Sequence, residues 1–279
     1  MKNIRIAIDA DRLNPGDVRF GCYLASLSQS RLTGVFIKNN AGDNIQAGKS
    51  TFVLQNGATA ELSELPGYRE RKAIHDDSEN TFRTICGQQG VAASVRTDSH
   101  QPLEEILAES RYADLLIISS ELAFEPSDQA KPSVFVKELL NSVECPVLIA
   151  PRLFSGIEEI VFAYDGNAAA VHAIKQFSYL LPEFEDCRMT IVQVIDDGQS
   201  EDPNADKLAQ LISLHYSNVH FKKLHGRTHP ELFTYLADKQ KTLVVMGSYG
   251  RNAFSNMLMH STADPLIRNL DLPFFIAHP

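Results

Sequence analysis

The sequence predicts an α/β protein of two consecutive Rossmann-like domains, each a five-stranded parallel sheet with helices on both faces. Short apolar runs rich in β-branched residues recur along the 279 residues, and stretches of helical periodicity separate them. Runs that are apolar throughout are typical of strands buried on both faces of a parallel sheet. The same succession of runs occurs twice, and the length of the chain suggests about two domains.

Each half of the chain contains five such runs, which we predict to be strands. In the first half they lie at residues 4–8, 32–37, 91–96, 115–118 and 146–149. In the second half they lie at residues 160–164, 189–195, 219–224, 243–246 and 274–277. Apolar residues at helical spacing fill the gaps, as at Val171, Ile174 and Phe177. The predicted order in each half is therefore βαβαβαβαβ.

The two halves align at specific positions. The segment DLLIISS in the first half corresponds to TLVVMGS in the second half, at an offset of 128 residues. The first predicted strand of each half is followed by an aspartate, Asp9 and Asp165. These correspondences indicate an internal duplication, with one domain at residues 1–152 and the other at residues 156–279.

The first half is the longer one, and most of its surplus lies at about residues 38–70. This stretch contains the turn-forming sequences NNAGDN, NGATA and LPG. Between them, STFVLQ has the composition of a strand. The sequence predicts an insertion that forms a β-hairpin or flap, and we expect protein partners, if the insertion has a role, to contact it.

Composition and charge argue against several classes of protein. The formal net charge of −9 disfavours the basic surface that nucleic acid or an anionic membrane requires. No apolar run is long enough to cross a bilayer, and no leader precedes the first strand. The four cysteines (Cys22, Cys86, Cys145 and Cys187) are far apart in the sequence, without a C-x-x-C pair. We expect a cytoplasmic protein with buried, reduced thiols that binds neither nucleic acid nor membranes.

The strongest local signal follows the fourth predicted strand of the second half. Gly247 and Gly250 come directly after the strand, and a polar segment leads to Ser261 and Thr262 before a helix of about eight residues. Glycine lets the backbone approach a phosphate closely, and a helix N-terminus offers free N–H groups and a positive dipole end. Ligands of open parallel sheets bind beyond the carboxyl ends of the strands. The segment therefore predicts a phosphate site.

The same segment resembles the universal stress protein family of the UspA type. That family has the pattern G-x-x-G, nine residues, then G-S/T, which Gly247, Gly250 and Ser261 match. Asp165 matches the aspartate that follows the first strand in the family. The resemblance covers the second half well and the first half in strand order only. It implies a Rossmann-like fold of the adenine nucleotide alpha hydrolase type and a role in stress response.

The resemblance also implies that the second half binds ATP or AMP as a sensor, without catalysis and without an obligatory metal. The residues that it implicates in nucleotide binding are Asp165, Val194, Gly247, Ser248, Gly250, Arg251, His260, Ser261 and Thr262. His260 stands where the family has its third glycine. Its imidazole either fills the phosphate pocket or, when protonated, pairs with a phosphate.

Two other functions stay open. A protein-interaction scaffold without nucleotide is one, and His260 favours it. A slow ATPase is the other, which would need a metal-bound carboxylate near the phosphates, and Asp165 is the candidate. The H-x-G-H and S-G-G-x-D-S motifs of nucleotidyl-transferring relatives are absent from the sequence, so an adenylating enzyme is not expected. His220 and His225 are five residues apart on a predicted strand, which puts them on opposite faces and disfavours zinc.

The corresponding loop of the first half lacks the glycines. Ser119 and Leu122 stand at the positions of the two glycines, and Glu121 and Glu125 add negative charge where a phosphate would lie. Of the phosphate-binding residues, Ser133 alone remains. We therefore predict that the first half is a structural copy that binds no nucleotide.

The last predicted strand of each half begins after a proline, Pro146 or Pro273, and forms an edge of its sheet. Edge strands expose unpaired backbone groups and readily pair with another strand. We expect these strands to pair either between the two domains of one chain or between two chains in a homodimer.

Overall fold

The computed structural model describes residues 1–38, 51–53, 59–61, 66–98, 101–124, 128, 130–195, 204–247 and 263–279. Within these residues the chain forms a ten-stranded sheet and a two-stranded sheet. Helices cover both faces of the large sheet, and all ten predicted strands are confirmed as its members.

The first half contains seven strands and four helices among the described residues. The strands are β1 (Asn3–Asp9), β2 (Arg31–Ile37), β3 (Thr51–Val53), β4 (Thr59–Glu61), β5 (Ala93–Asp98), β6 (Leu115–Ser119) and β7 (Val147–Ala150). The helices are α1 (Pro15–Leu27), α2 (Pro66–Gln88), α3 (Pro102–Ser110) and α4 (Val134–Ser142).

The second half repeats the pattern without β3 and β4. Its strands are β8 (Glu159–Tyr164), β9 (Arg188–Ile195), β10 (Val219–His225), β11 (Thr242–Gly247) and β12 (Phe274–Ala277). Its helices are α5 (Ala168–Leu180), a 3-10 turn (Pro182–Phe184), α6 (Ala205–Ser213), α7 (Thr228–Ala237) and α8 (Ala263–Asn269).

The two halves have the same strand order. The large sheet runs β10-β9-β8-β11-β12-β7-β6-β1-β2-β5, so in each half the third strand is outermost and the first strand lies beside the fourth. Within each half, all pairs of the large sheet are parallel. Connections leave the first and fourth strands in opposite directions, which creates a crevice at their carboxyl ends.

Two layers of apolar side chains hold the helices to the sheet. One layer lies under α1, α2, α5 and α6 and contains Phe20, Phe82 and Phe177, which are fully buried. The other lies under α3, α4, α7 and α8 and contains Leu139 and Leu236. Each layer includes residues of both halves, so the core is continuous across the chain.

The halves join through their fifth strands, which pair antiparallel. Phe275 of β12 lies opposite Leu148 of β7, at the centre of three residue pairs. Lys137 of α4 forms an ion pair of 2.9 Å with Asp264 of α8 across the same junction. Of the two pairings that the sequence left open, the structure has the one within the chain. Because β7 and β12 run in opposite directions, the strands of the two halves point opposite ways. The carboxyl ends of one half therefore lie on the same side of the sheet as the amino ends of the other.

The insertion of the first half contains the predicted hairpin. β3 and β4 pair antiparallel, with Phe52 opposite Ala60, and form the two-stranded sheet. The prediction of its C-terminal limit was wrong, because α2 begins at Pro66 rather than after residue 70. Pro66 and Gly67 of the LPG sequence, which was expected to form a turn, are the first two residues of this helix, where proline is favoured.

Candidate functional site

Three of the predicted nucleotide-binding residues lie at the carboxyl ends of adjacent strands. Asp165 follows β8, Val194 lies near the end of β9, and Gly247 ends β11. The sheet places these strands in the order β9-β8-β11. The other six lie outside the described residues: Ser248, Gly250, Arg251, His260, Ser261 and Thr262. The helix predicted after them is α8, which begins at Ala263.

Asp165 shapes the turn between β8 and α5. Its carboxylate accepts a hydrogen bond from the backbone N–H of Asn167 at 2.9 Å and another from the Asn167 side-chain amide at 3.0 Å. Asp9 occupies the same place after β1 and accepts from the backbone N–H of Asp11 at 2.9 Å. Such turns are a common use of aspartate, so its recurrence in both halves follows from local backbone structure.

Val194 lies level with Asp165, because Tyr164 of β8 pairs with Gln193 of β9. It is half-buried and packs against the apolar layer under α7. Its side chain could supply one apolar wall beside the crevice and carries no polar group for specificity.

Gly247 is required by the packing of α5 against β11. A Cβ atom at this position would lie 2.6 Å from the carbonyl carbon of Ala169 and 2.7 Å from the backbone nitrogen of Ala170. These atoms belong to the first turn of α5 and cannot move as a side-chain end can. The sequence attributed this glycine to close approach of a phosphate, whereas the structure shows close approach of a helix.

The equivalent crevice of the first half contains a cavity of about 200 Å³. Its polar lining comes from the end of β1, the start of α1 and the segment after β6: Asp9, Arg12, Asn14, Asp17, Ser119 and Glu121. The loop from β1 to α1 makes room for it. Four residues separate Asp9 from the N-cap residue Asn14, whereas only Gly166 separates Asp165 from the N-cap residue Asn167.

Carboxylates dominate the charge of this cavity. Burial raises the pKa of Asp17 to about 7, against the hydrogen bond from Asn14, and the Glu121 carboxylate raises it further. Burial also raises the pKa of Asp9. Desolvation and neighbouring negative charge both disfavour ionised carboxylates. A polyphosphate in this cavity would disfavour the ionised carboxylates further, and it would meet repulsion from any of them that remain ionised.

The phosphate position of the first half is filled by the chain itself. The Asp128 carboxylate accepts hydrogen bonds from the backbone N–H groups of Val134 and Phe135, at 3.0 and 3.1 Å. Ser133 caps α4 by accepting from the N–H of Val136 at 3.0 Å, and its hydroxyl donates to the carbonyl of Leu122. An anion is favourable at a helix N-terminus. Here a side chain supplies it, and Ser133 has no hydrogen left for a phosphate.

The profile of the universal stress protein family matches residues 156–278. A universal stress protein of Synechocystis sp. is 20% identical over 98% of this chain and 98% of its own length. Residues 156–278 therefore form a domain of the universal stress protein family.

Solved structures agree with this membership at the level of the fold. A universal stress protein from Archaeoglobus fulgidus DSM 4304 superposes with a TM-score of 0.72 at 17% identity, covering 98% of each chain. A protein of unknown function from Pseudomonas aeruginosa PAO1 superposes with a TM-score of 0.60 at 14% identity, covering 100% of this chain and 93% of its own. Both extend over the two halves, so they share the tandem fold of this chain.

Charge in the loop after β6 in the first half is partly balanced. Glu121, which the sequence placed where a phosphate would lie, forms an ion pair with Lys131. Leu122 is buried in the core, and its side chain also lines the cavity. Glu125 lies outside the described residues.

The histidines of the second half are dispersed. His215 contacts the ring of Tyr179, with 5.2 Å between centroids, and His220 lies 3.1 Å from the side-chain oxygen of Asn218. Among the described residues, no three His, Cys, Asp or Glu side chains group closely enough to hold a metal ion. None of the described helices is both long and apolar enough to span a bilayer.

Sequence reasoning missed Asp128 and the cavity that Asp17 lines. Asp128 lies five residues before the helix cap and belongs to no motif, so no spacing signals its role. Asp17 carried a weak signal, because it stands in the first turn of a helix that begins with proline. Its burial depends on the long loop after Asp9, which the sequence does not reveal.

Proposed function

We propose that this universal stress protein binds an adenine nucleotide, ATP or AMP, in its second half and acts as a non-catalytic sensor in stress response. The observation that carries the proposal is the placement of Asp165 and Gly247. They end β8 and β11, the two strands that flank the crevice where such sheets bind ligands. The family motif begins at Gly247 and leads to the start of α8.

The contrast with the first half supports the choice of half. Asp128 already occupies the α4 N-terminus, and three carboxylates line the cavity beside it. Both features oppose a phosphate there. A sensor needs no catalytic group, and the proposal assigns none. Asp165 serves the turn before α5 through its bonds to Asn167.

Calorimetric titration of ATP into the full chain tests the proposal. We expect one site of micromolar affinity, roughly −8 kcal/mol. Gly250→Val should abolish it, because a β-branched side chain would block close approach of the backbone to a phosphate. Glu121→Gln in the first-half cavity is the matched control and should leave the affinity unchanged. Loss of binding in Glu121→Gln, with binding retained in Gly250→Val, would move the site to the first half.

His260→Gly, which restores the family pattern, forms a second arm of the titration. If the imidazolium pairs with a phosphate, wild-type affinity should rise as the pH falls from about 8 to 6, and the variant should lose this dependence. If the ring fills the pocket, the variant should bind more tightly at both pH values. No binding by either protein at either pH would reject the nucleotide and leave the scaffold function. Release of phosphate from ATP would instead favour the slow ATPase.

A further inference from the structure

Two of the four cysteines meet in the core of the first half. Cys22 of α1 and Cys86 of α2 are separated by 64 positions in the sequence, yet their sulfur atoms lie 3.6 Å apart. Their exposed fractions are 0% and 1%, and both pack in the apolar layer under α1 and α2. The sequence predicts buried thiols, which these two are, but it did not predict their contact.

The contact makes the two sulfur atoms unequal. The Cys22 thiol donates its hydrogen to the Cys86 sulfur, which lowers the pKa of Cys86 and raises the pKa of Cys22. The thiolate is the nucleophilic form of cysteine. Cys86 is therefore the sulfur that would attack first, with Cys22 directly beside it to resolve the product.

The other two cysteines have different surroundings. Burial raises the pKa of Cys145 to about 12, and burial also raises the pKa of Cys187. The Cys187 thiol donates to the carbonyl of Ile157 at 3.9 Å. Both are more exposed than Cys22 and Cys86. They therefore serve as internal controls that distinguish the effect of exposure on thiol oxidation from the effect of pairing.

We propose that Cys22 and Cys86 form a redox site that a hydroperoxide oxidises to an intramolecular disulfide. The Cys86 thiolate attacks one peroxide oxygen, so that an S–O bond forms, the O–O bond breaks and the departing oxygen leaves as water or an alcohol after taking a proton. Cys22 then loses its proton and attacks the Cys86 sulfur. The S–S bond forms, the S–O bond breaks, and the hydroxide leaves as water. Two thiols are oxidised and one peroxide is reduced.

Formation of the disulfide requires little movement of the two cysteine side chains. Closing the contact from 3.6 Å to a disulfide bond of about 2.05 Å needs a small shift shared by two side chains. Access for the peroxide comes from the end of α2. Cys86 lies in its last turn, and residues 87–90 beyond it are exposed. Helix ends open locally at low free-energy cost, which admits a small oxidant to a buried thiol.

The experiment treats the full-length reduced protein with hydrogen peroxide, then alkylates the remaining thiols after denaturation and maps the peptides by mass spectrometry. We expect a cross-linked peptide that joins Cys22 to Cys86, while Cys145 and Cys187 remain alkylated. A dithiol reductant should reverse the cross-link. The oxidised protein should melt at least about 5 °C higher, because the link closes a long loop.

Two variants distinguish the proposed order of steps. In Cys22→Ser the hydroxyl still donates to Cys86, so Cys86 should stop at the sulfenic acid and react with a 1,3-dione probe. In Cys86→Ser no sulfenic acid should form at Cys22 at the same peroxide concentration. Oxidation of Cys145 or Cys187 before the pair would overturn the proposal. So would a cross-link that forms only in urea, because the native contact would then play no part.

Discussion

The crevices at the carboxyl ends of the two halves have the same strand order and different contents. In the first half, a long loop after Asp9 leaves a cavity lined by carboxylates, and Asp128 occupies the adjoining helix N-terminus. In the second half, a short loop after Asp165 brings α5 against Gly247. A duplicated sheet therefore retains its topology while the space beside its fourth strand differs: a cavity and the Asp128 carboxylate in one half, and close packing of a helix in the other.

The loop between the first strand and the first helix decides how close that helix comes. Where this loop is short, the last residue of the neighbouring fourth strand must be glycine, because backbone atoms of Ala169 lie within 2.8 Å of the position that its Cβ would occupy. Where it is long, Ser119 is tolerated at the equivalent position and lines a cavity instead. A short loop before the helix thus requires glycine at the end of the neighbouring strand, and a long loop does not.

The largest expected effect is that of Gly247→Ala, which removes the glycine against which α5 packs. The new methyl group would overlap the backbone of α5, so we expect the free energy of unfolding of the second half to fall by about 3 kcal/mol. Urea unfolding followed by circular dichroism, with hydrogen exchange of β11, measures the loss. Ser119→Ala is the matched control in the first half and should change stability by less than about 0.5 kcal/mol. Equal effects of the two variants would mean that both helices approach their strands alike.

An intermediate effect is expected from Asp128→Ala. The variant leaves the N–H groups of Val134 and Phe135 without their carboxylate, which should cost about 1–2 kcal/mol of stability. Added sulfate should recover part of the loss in the variant and have a smaller effect on the wild type, as thermal unfolding would show. Asp128→Asn keeps an acceptor and should lose less. Unchanged stability in Asp128→Ala would show that the carboxylate does not hold this helix end.

The smallest effect concerns pH and Asp17, whose counterpart at the start of α5 is Ala170. The pKa of Asp17 is about 7 in the folded protein, above its ordinary value of 3.8. The unfolded chain therefore holds fewer protons, and stability falls as the pH rises from about 4 to 7. Asp17→Asn should remove this fall and be more stable at pH 8 by roughly 1 kcal/mol, after allowance for solvent screening.

The control for this pH dependence is Asp206→Asn. Asp206 also stands in the first turn of a helix, α6, but it is exposed. The substitution should leave the pH dependence of the wild type unchanged in thermal unfolding measured between pH 4 and 8. A change of the same sign and size as that of Asp17→Asn would show that burial is not the cause, because a helix N-terminus lowers the pKa of an aspartate rather than raising it.

The sequence was sufficient for the central strands because these are mainly apolar on both faces, whereas the outermost strands β5 and β10 are largely polar or exposed and follow from the repeat. Runs such as Ile4–Ile8 or Leu243–Met246 have no other stable place than the centre of a covered parallel sheet. Duplication then gave the order of elements and the crevice at Asp165. These features depend on residues close together along the chain.

The features that the sequence did not predict depend on residues far apart. Cys22 meets Cys86 only because α1 packs on α2, and Asp128 reaches α4 through a bend that no motif encodes. Gly247 shows a different limit, since glycine permits close approach of a ligand or of a helix equally well. Its presence in a motif therefore does not distinguish packing from binding.

The pairing of β7 with β12, here called the seam, is antiparallel. The two crevices therefore open at opposite ends of the strands. No small ligand could touch both, and a partner docked at one edge of the sheet would leave the other edge accessible. Any communication between them must pass through the seam, where Lys137 meets Asp264 and Phe275 lies opposite Leu148. The two crevices thus lie at opposite ends of the strands of one continuous sheet.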